Sequence, residues 1–196
     1  MTARERQFWD TRYRAQLDDA FEYPAPNPLL FMYTPPITQI GHGDQAVTAL
    51  DLACGWAQNG LWLAAQGYTV DLIDISRVAL IEAQAQASER GLRRVNFLQY
   101  DLDDAPTLFA DRRAVYDVLT VVDFFRRDLI TELRACVKSG GRVIYETYNA
   151  RYADVDADTP RDTLVEPGEL SGYFSDWQLL RRVDNGIISQ IVAIKP

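Results

Sequence analysis

The chain has 196 residues, 47% apolar and 24% charged, with a formal net charge of −8 and a sequence pI of about 4.7. That length and mix predict one globular domain with a full-sized core over residues 1–196. The acidic balance, with no basic stripe, argues against a phosphate-backbone footprint and so against a nucleic-acid partner.

Arginine pairs at Arg93 and Arg94, Arg112 and Arg113, Arg126 and Arg127, and Arg181 and Arg182 are scattered and read as solvated loops or helix ends. No run has the length of a membrane span, so no membrane partner is expected. The charged start M-T-A-R-E-R-Q-F-W-D lacks the apolar centre of a signal peptide. Cys54 and Cys136 form no C-x-x-C pair, which suits a reducing cytoplasm. The single histidine, His42, excludes a His-rich metal site and argues against a His-based triad. Flanked by Gly41 and Gly43, it reads as a loop residue, and no metal is expected.

In chain order, residues 2–20 carry Phe8, Trp9, Tyr13 and Leu17, and the spacing 9, 13, 17 predicts an amphipathic helix. Its aromatic stripe either packs on the domain or forms a lid over a ligand. E-Y-P-A-P-N-P follows, where prolines break regular structure. Residues 28–40, with Pro35 and Pro36 inside, predict a short or kinked helix. The N-terminal segment 1–45 thus stands apart from an α/β core over 46–196. Strands are predicted over 47–53, 68–74, 94–100, 116–122 and 142–147. Helices are predicted over 58–66, 77–90 with Ser76 as cap, and 127–138, with room for a short one in 101–113. The fourth strand is almost wholly apolar, as a strand buried on both faces is. Ser139, Gly140 and Gly141 are expected to turn the chain into the fifth strand. Two last strand-like runs, 177–183 and 187–194, flank Asp184, Asn185 and Gly186, a hairpin signal. Residues 148–175 form a polar insertion on the substrate side, in which E-P-G-E-L predicts a helix starting at Pro167. Asp154, Asp156 and Asp158 alternate as in a calcium loop, but the rest of that pattern is missing and a solvated turn is expected.

Strands alternating with helices predict βαβ units and a parallel sheet, and ligands of such sheets sit beyond the carboxyl ends of the strands. Asp51, Asp74 and Asp101 end the first three strands, with Gly55 in the turn after the first. A carboxylate at Asp74 can accept from ribose hydroxyls, and Asp101 can accept from an exocyclic amine. Each could instead cap a turn; three strand ends in succession favour a nucleoside pocket. A dinucleotide fingerprint G-x-G-x-x-G would align with Gly55, Ala57 and Gly60, so its second glycine is missing. A methyl at Ala57 crowds a diphosphate but not a ligand without one. With the terminal hairpin, that points to S-adenosylmethionine (SAM), with S-adenosylhomocysteine (SAH) as product, rather than NAD.

D-L-A-C-G at 51–55, L-I-D-I-S at 72–76, Asp101, Y-D-V-L at 116–119 and S-G-G-R-V-I-Y-E-T at 139–147 resemble, in order, the motifs of class I SAM-dependent methyltransferases. F-W-D-x-R-Y at 8–13, L-W-L-A-A-Q-G at 61–67 and E-P-G-E-L resemble the small bacterial enzymes of the tellurite-resistance (TehB) and thiopurine type. The resemblance implies a Rossmann-like seven-stranded sheet of order 3-2-1-4-5-7-6, the last strand antiparallel, with helices on both faces. It implies that Asp51 and the glycine loop, with Ala53, Cys54, Gly55 and Asn59, lie near the methionine part of the cofactor. Asp74 would hold the ribose, Ile75, Asp101 and Leu102 would border the adenine, and Val122 would end the fourth strand at the site. Trp9 and Tyr13 would close over it. Trp56 and Ala57 depart from the usual G-x-G-x-N.

Methyl transfer from a sulfonium needs alignment and exclusion of water, and a base only where the nucleophile must lose a proton. Asp123 is the candidate catalytic residue, with capping of the next helix as its alternative role. Tyr33 and Tyr148 are candidate substrate-facing aromatics, and of Tyr145 and Glu146, which face opposite ways, one is structural. The reading is a SAM-dependent methyltransferase acting on a small molecule: a thiol, a metalloid oxyanion, or an O- or N-nucleophile. The alternative is a SAM-fold protein that binds an adenosyl ligand without methyl transfer, kept open by Trp56 and Ala57.

Overall fold

The computed structural model describes residues 3–17, 21–40 and 46–196, and the expectation for His42 lies outside the described residues. Helix α1 (Ala3–Leu17) leads to α2 (Pro28–Tyr33) and α3 (Ile37–Ile40); the short or kinked helix expected over 28–40 is two short helices, parted at residues 34–36 where Pro35 and Pro36 stand. The core then alternates: β1 (Thr48–Leu52), α4 (Gln58–Ala65), β2 (Thr69–Asp74), α5 (Arg77–Glu89) and β3 (Val95–Gln99). After β3 come a 3-10 turn (Leu102–Asp104), α6 (Ala105–Phe109), β4 (Tyr116–Val122), α7 (Ile130–Cys136) and β5 (Val137–Tyr148). Helix α8 (Glu169–Gly172) and the hairpin β6 (Gln178–Asn185) and β7 (Ile188–Ile194) complete the order.

The sheet runs β3-β2-β1-β4-β5-β7-β6, parallel from β1 to β5, with β7 antiparallel to both its neighbours. This is the expected Rossmann-like order. Side chains alternate across each strand, so the sheet carries two cores. Leu50, Leu52, Leu119, Val121 and Val143 pack with α6, α7 and α8 on one face. Ala49, Leu72, Val118, Ile144 and Val192 pack with α2, α4 and α5 on the other. Toward the carboxyl ends, that second face turns polar at Asp51, Thr120, Glu146 and Gln190. No helix among the described residues is long and apolar enough to cross a membrane.

Four local expectations are corrected. Ser139, Gly140 and Gly141 do not make a turn before the fifth strand. They lie inside β5 as a bulge, where the register jumps from Tyr116↔Val137 to Val118↔Arg142. Gly140 has φ +76° there, and a Cβ on Gly141 would meet the Lys138 carbonyl at 2.8 Å. The hairpin loop is Gly186 and Ile187, because Asn185 pairs with Ile188; Gly186 supplies φ +54° at the first central position. The predicted helix over 127–138 divides into a 3-10 turn (Arg127–Leu129) and α7, since Val137 already enters β5. Helix α8 begins at Glu169, not Pro167, because Gly168 at φ +88° forms the entry and the Glu169 carboxylate accepts from Glu166 N–H at 2.8 Å.

Helix α4 lies close on β1 and β2 because residue 60 has no side chain: a Cβ there would stand 2.1 Å from Leu72 Cδ2 and 3.0 Å from Asp51 Oδ2. Gly60→Ala is therefore expected to cost about 1–3 kcal/mol by overpacking, read as a lowered midpoint in urea unfolding.

Candidate active site

The strand order reverses between β1 and β4, and the turn after β1 opens at that switch point. This turn has a left-handed backbone at alternate positions: Ala53 (φ +52°), Gly55 (φ +54°) and Ala57 (φ +59°). Only Gly55 has the residue type that takes this conformation without steric cost. Two carboxylates brace the turn. Asp51 Oδ2 accepts from Gly60 N–H at 2.8 Å, and Asp74 Oδ2 accepts from Gly55 N–H at 2.8 Å. Asp74 Oδ1 also accepts from Ser76 N–H at 2.8 Å, and Asp101 Oδ1 from Asp103 N–H at 3.0 Å. The turn-forming role weighed for each aspartate is thus present in all three. It does not exhaust them, since a carboxylate offers about four acceptor sites.

Burial pushes Asp51 well above the usual carboxylate range against the Gly60 N–H bond, which lowers it. Asp74 is raised by burial, less strongly opposed by its bonds to Ser76 and Gly55. The Cys54 thiol is pushed up by burial and by the two aspartates.

Helix α1 closes this turn from above. Asp10 Oδ1 accepts from Ser76 Oγ at 2.7 Å and Val78 N–H at 3.3 Å, at the start of α5. Gln16 Oε1 accepts from Trp56 Nε1 at 3.2 Å. Tyr13 Oη lies 2.6 Å from where a Cβ on Gly55 would be, and the Tyr13 ring meets Trp56 edge-on at 4.6 Å. Burial, then the charge of Asp74, pushes the Tyr13 phenol up. Trp56 also carries Phe21 at 4.7 Å, and its carbonyl accepts from Tyr23 Oη. The expected stripe on α1 is corrected: Phe8, Trp9 and Leu17 stay exposed, and only Tyr13 is inserted. Trp9 stands outside it, its ring 6.0 Å from that of Tyr13.

Across the switch point, Val122 ends β4 and Asp123 follows with φ +55°. Asp123 does not cap the next helix: the N-cap of the 3-10 turn is Arg126. Asp123 is exposed, yet the surrounding protein raises its carboxyl, first by desolvation and then through the charge of Glu146. Tyr148, at the end of β5, stacks on Tyr152 at 4.1 Å, and its phenol is raised by burial and by Asp123. Tyr145 is the structural member of its pair: it is fully buried and donates to Phe124 O at 3.0 Å.

The structure therefore gathers Tyr13, Asp51, Ala53, Cys54, Gly55, Asn59, Asp74, Ile75, Val122, Asp123 and Tyr148 at the carboxyl ends of β1, β2, β4 and β5. Asp101 and the buried Leu102 follow β3. Tyr33 is not brought there. Its carbonyl accepts from Arg142, near the amino end of β4, and its ring packs on the lower part of the second core. Sequence reasoning missed Asp10, Gln16 and Asn27, whose partners lie up to 119 residues away. It also missed Gln58, whose only signal was its place at the start of α4.

The residues suit an adenosyl cofactor. The absence of a side chain at Gly55 leaves room that the Tyr13 hydroxyl takes in this structure. Gln58 Oε1 and Thr120 Oγ1 are buried without a hydrogen-bond partner among the described residues, and Thr120 lies in register with Asp51. No group of side chains that could hold a metal ion occurs among the described residues.

The comparisons agree with this geometry. A family model described as a methyltransferase domain matches residues 49–141. The ubiquinone biosynthesis O-methyltransferase of Nitrosomonas europaea is 30% identical over 165 residues, which cover 74% of this chain and 67% of that protein. TehB from Haemophilus influenzae shares the fold with a TM-score of 0.65 at 18% identity, over 86% of this chain and 66% of that one. Magnesium protoporphyrin IX methyltransferase from Synechocystis PCC 6803, with bound SAH, shares it with a TM-score of 0.65 at 14% identity, over 99% of each chain. The chain belongs to the class I SAM-dependent methyltransferases.

Two outcomes follow from the site. The stability tied to Asp51 is fully present below the ordinary aspartate range, about 3.9, and is lost as pH rises through the higher folded value. Asp51→Asn keeps an acceptor for Gly60 N–H without the buried charge, so its melting temperature at pH 8 should exceed the wild type's, the gap closing toward acid. Asp10→Ala removes both bonds from α1 to α5, worth about 1 kcal/mol together or more. Tryptic cleavage after Arg12 and Arg14, followed by mass spectrometry, should speed up several-fold.

Proposed function

We propose that this enzyme transfers the SAM methyl group to a small-molecule acceptor bound between α1 and the ends of β4 and β5, with residues 148–175 as the outer wall. The observation that carries this is the pairing of Gly55 N–H with the Asp74 carboxylate directly beneath Tyr13, with Asp123 across the switch point. When bound, SAM supplies a methyl carbon already activated by the sulfonium.

The chain's part is to bind, align and exclude water. Asp74 would take the ribose hydroxyls on the acceptor sites that Gly55 and Ser76 leave open. Ile75, Asp101 and Leu102 would border the adenine. Asp51, Ala53, Cys54, Gly55 and Asn59 would line the methionine end, where the unpaired Gln58 Oε1 is an acceptor for its ammonium. Tyr13 would cover the cofactor, with Trp9 outside it. Asp123 would face the acceptor beside Tyr148 and Tyr152. A site closed by a single helix, in a chain of net charge −8, favours a small acceptor over a polymer.

Calorimetric titration with SAM and SAH, and NAD as control, tests the cofactor site: micromolar binding of the adenosyl ligands alone supports it, and no binding sinks it. Asp74→Ala, with its fold checked by circular dichroism, should lose about 1–3 kcal/mol of SAH affinity, roughly 5- to 150-fold. Unchanged affinity would remove the ribose assignment.

A further inference from the structure

Glu146 has no role in the proposed function, yet its backbone is tied to Asp123. On β5 it is in register with Val122, and its carbonyl accepts from Asp123 N–H at 3.0 Å. With Tyr145 Oη on Phe124 O, this pins the left-handed turn that displays Asp123. Its carboxylate is also clamped. Oε1 accepts from Asn27 Nδ2 at 2.7 Å and Oε2 from Gln190 Nε2, while Gln190 Oε1 accepts from Arg181 Nε at 2.8 Å. Asn27 is held in turn: its N–H donates to Asn59 Oδ1 at 2.8 Å and its Oδ1 caps α2 at Leu29 N–H, 2.9 Å away. Both clamps are neutral amides, and among the described residues no cation forms a salt bridge with Glu146. The carboxylate is fixed in place but its charge is not cancelled.

We propose that Glu146 is a positioning residue for Asp123: its carbonyl holds the Asp123 turn, and its amide-clamped carboxylate sets a second negative charge beside Asp123, fitting Asp123 to take a proton from an O–H or N–H acceptor. This rests on the reading of Asp123 as the acceptor-facing group. Asp123 then receives the proton that the nucleophile gives up as its lone pair bonds the methyl carbon and the carbon–sulfur pair remains on sulfur. A base whose affinity for protons is raised toward the working pH does this better than an ordinary aspartate, and a like charge raises it in that direction. The other groups facing Asp123 are Tyr148 on β5 and Tyr13 on α1, both with raised phenols, and Arg12 on α1 acts on both tyrosines in the opposite sense. Of these neighbours Glu146 is the carboxylate, and its charge acts to raise Asp123 after desolvation does.

The test is a carboxyl titration by carbon-13 NMR of the full chain labelled at aspartate, without ligand, the Asp123 resonance being assigned by its loss in Asp123→Asn. In the wild type its midpoint should lie above that of an ordinary aspartate. Glu146→Gln, which keeps a polar group for the amides but removes the charge, should move the midpoint down. Asn27→Ala, which breaks one clamp but keeps the charge, should move it down by less than Glu146→Gln does. An ordinary midpoint in the wild type overturns the proposal without any variant. So does a midpoint that ignores Glu146→Gln, or one that falls as far in Asn27→Ala. Titration with SAH stands apart: its failure removes the cofactor reading while the Asp123 midpoint still decides the role of Glu146.

Discussion

The site depends on how the turn after β1 is held. A backbone that is left-handed at alternate positions exposes its amides, and exposed amides in a buried turn need acceptors. Asp51 and Asp74 provide them at Gly60 and Gly55, both at 2.8 Å. Those two bonds join β1, α4 and β2 into one corner and fix where a ligand can approach. Left-handed alanines at 53 and 57 cost of order 1–2 kcal/mol each, and the bracing that holds Gly55 keeps them in place too. Alanine at 57, where the family usually has glycine, therefore adds a backbone cost to the loop.

Trp56, the other departure, is explained by what surrounds it. Its indole N–H meets Gln16, its ring carries Tyr13 and Phe21, and its carbonyl meets Tyr23. It is the surface on which α1 and the segment after it dock. A smaller residue there would leave α1 with the Asp10 bonds and little apolar contact, since none of its described residues is buried. The bulky residue in the loop and the weakly amphipathic helix above it are two halves of one arrangement.

Much of this was legible in the sequence. Strand–helix alternation and the run of aspartates at strand ends mark a parallel sheet and its carboxyl edge, because burial on both faces and turn chemistry are local properties, whereas the strand order was implied by the resemblance to the methyltransferases. The bulge in β5 was not legible: S-G-G reads as a turn from composition, and only pairing with β4 shows that the strand continues through it. The misplacement of Tyr33 has a similar cause. Nothing local tells which end of α2 lies near the site, and Asn27, bonded to Asn59 and Glu146, puts the start of the helix at the carboxyl edge and Tyr33 at the other. Glu146 showed only as one of an alternating pair, since its partners are far apart in the chain.

The electrostatics of the corner also bear on the cofactor. Asp51 and Asp74 are buried, and burial raises both, so their ionised forms carry a desolvation cost that the fold meets only in part through backbone N–H groups. Asp123 and Glu146 add negative charge across the switch point. A cationic sulfonium offsets such a cost where a neutral thioether does not, because opposite charges in a poorly solvated site interact more strongly than in water. On the proposed reading, the pocket complements the charge that the cofactor holds before transfer and loses on transfer.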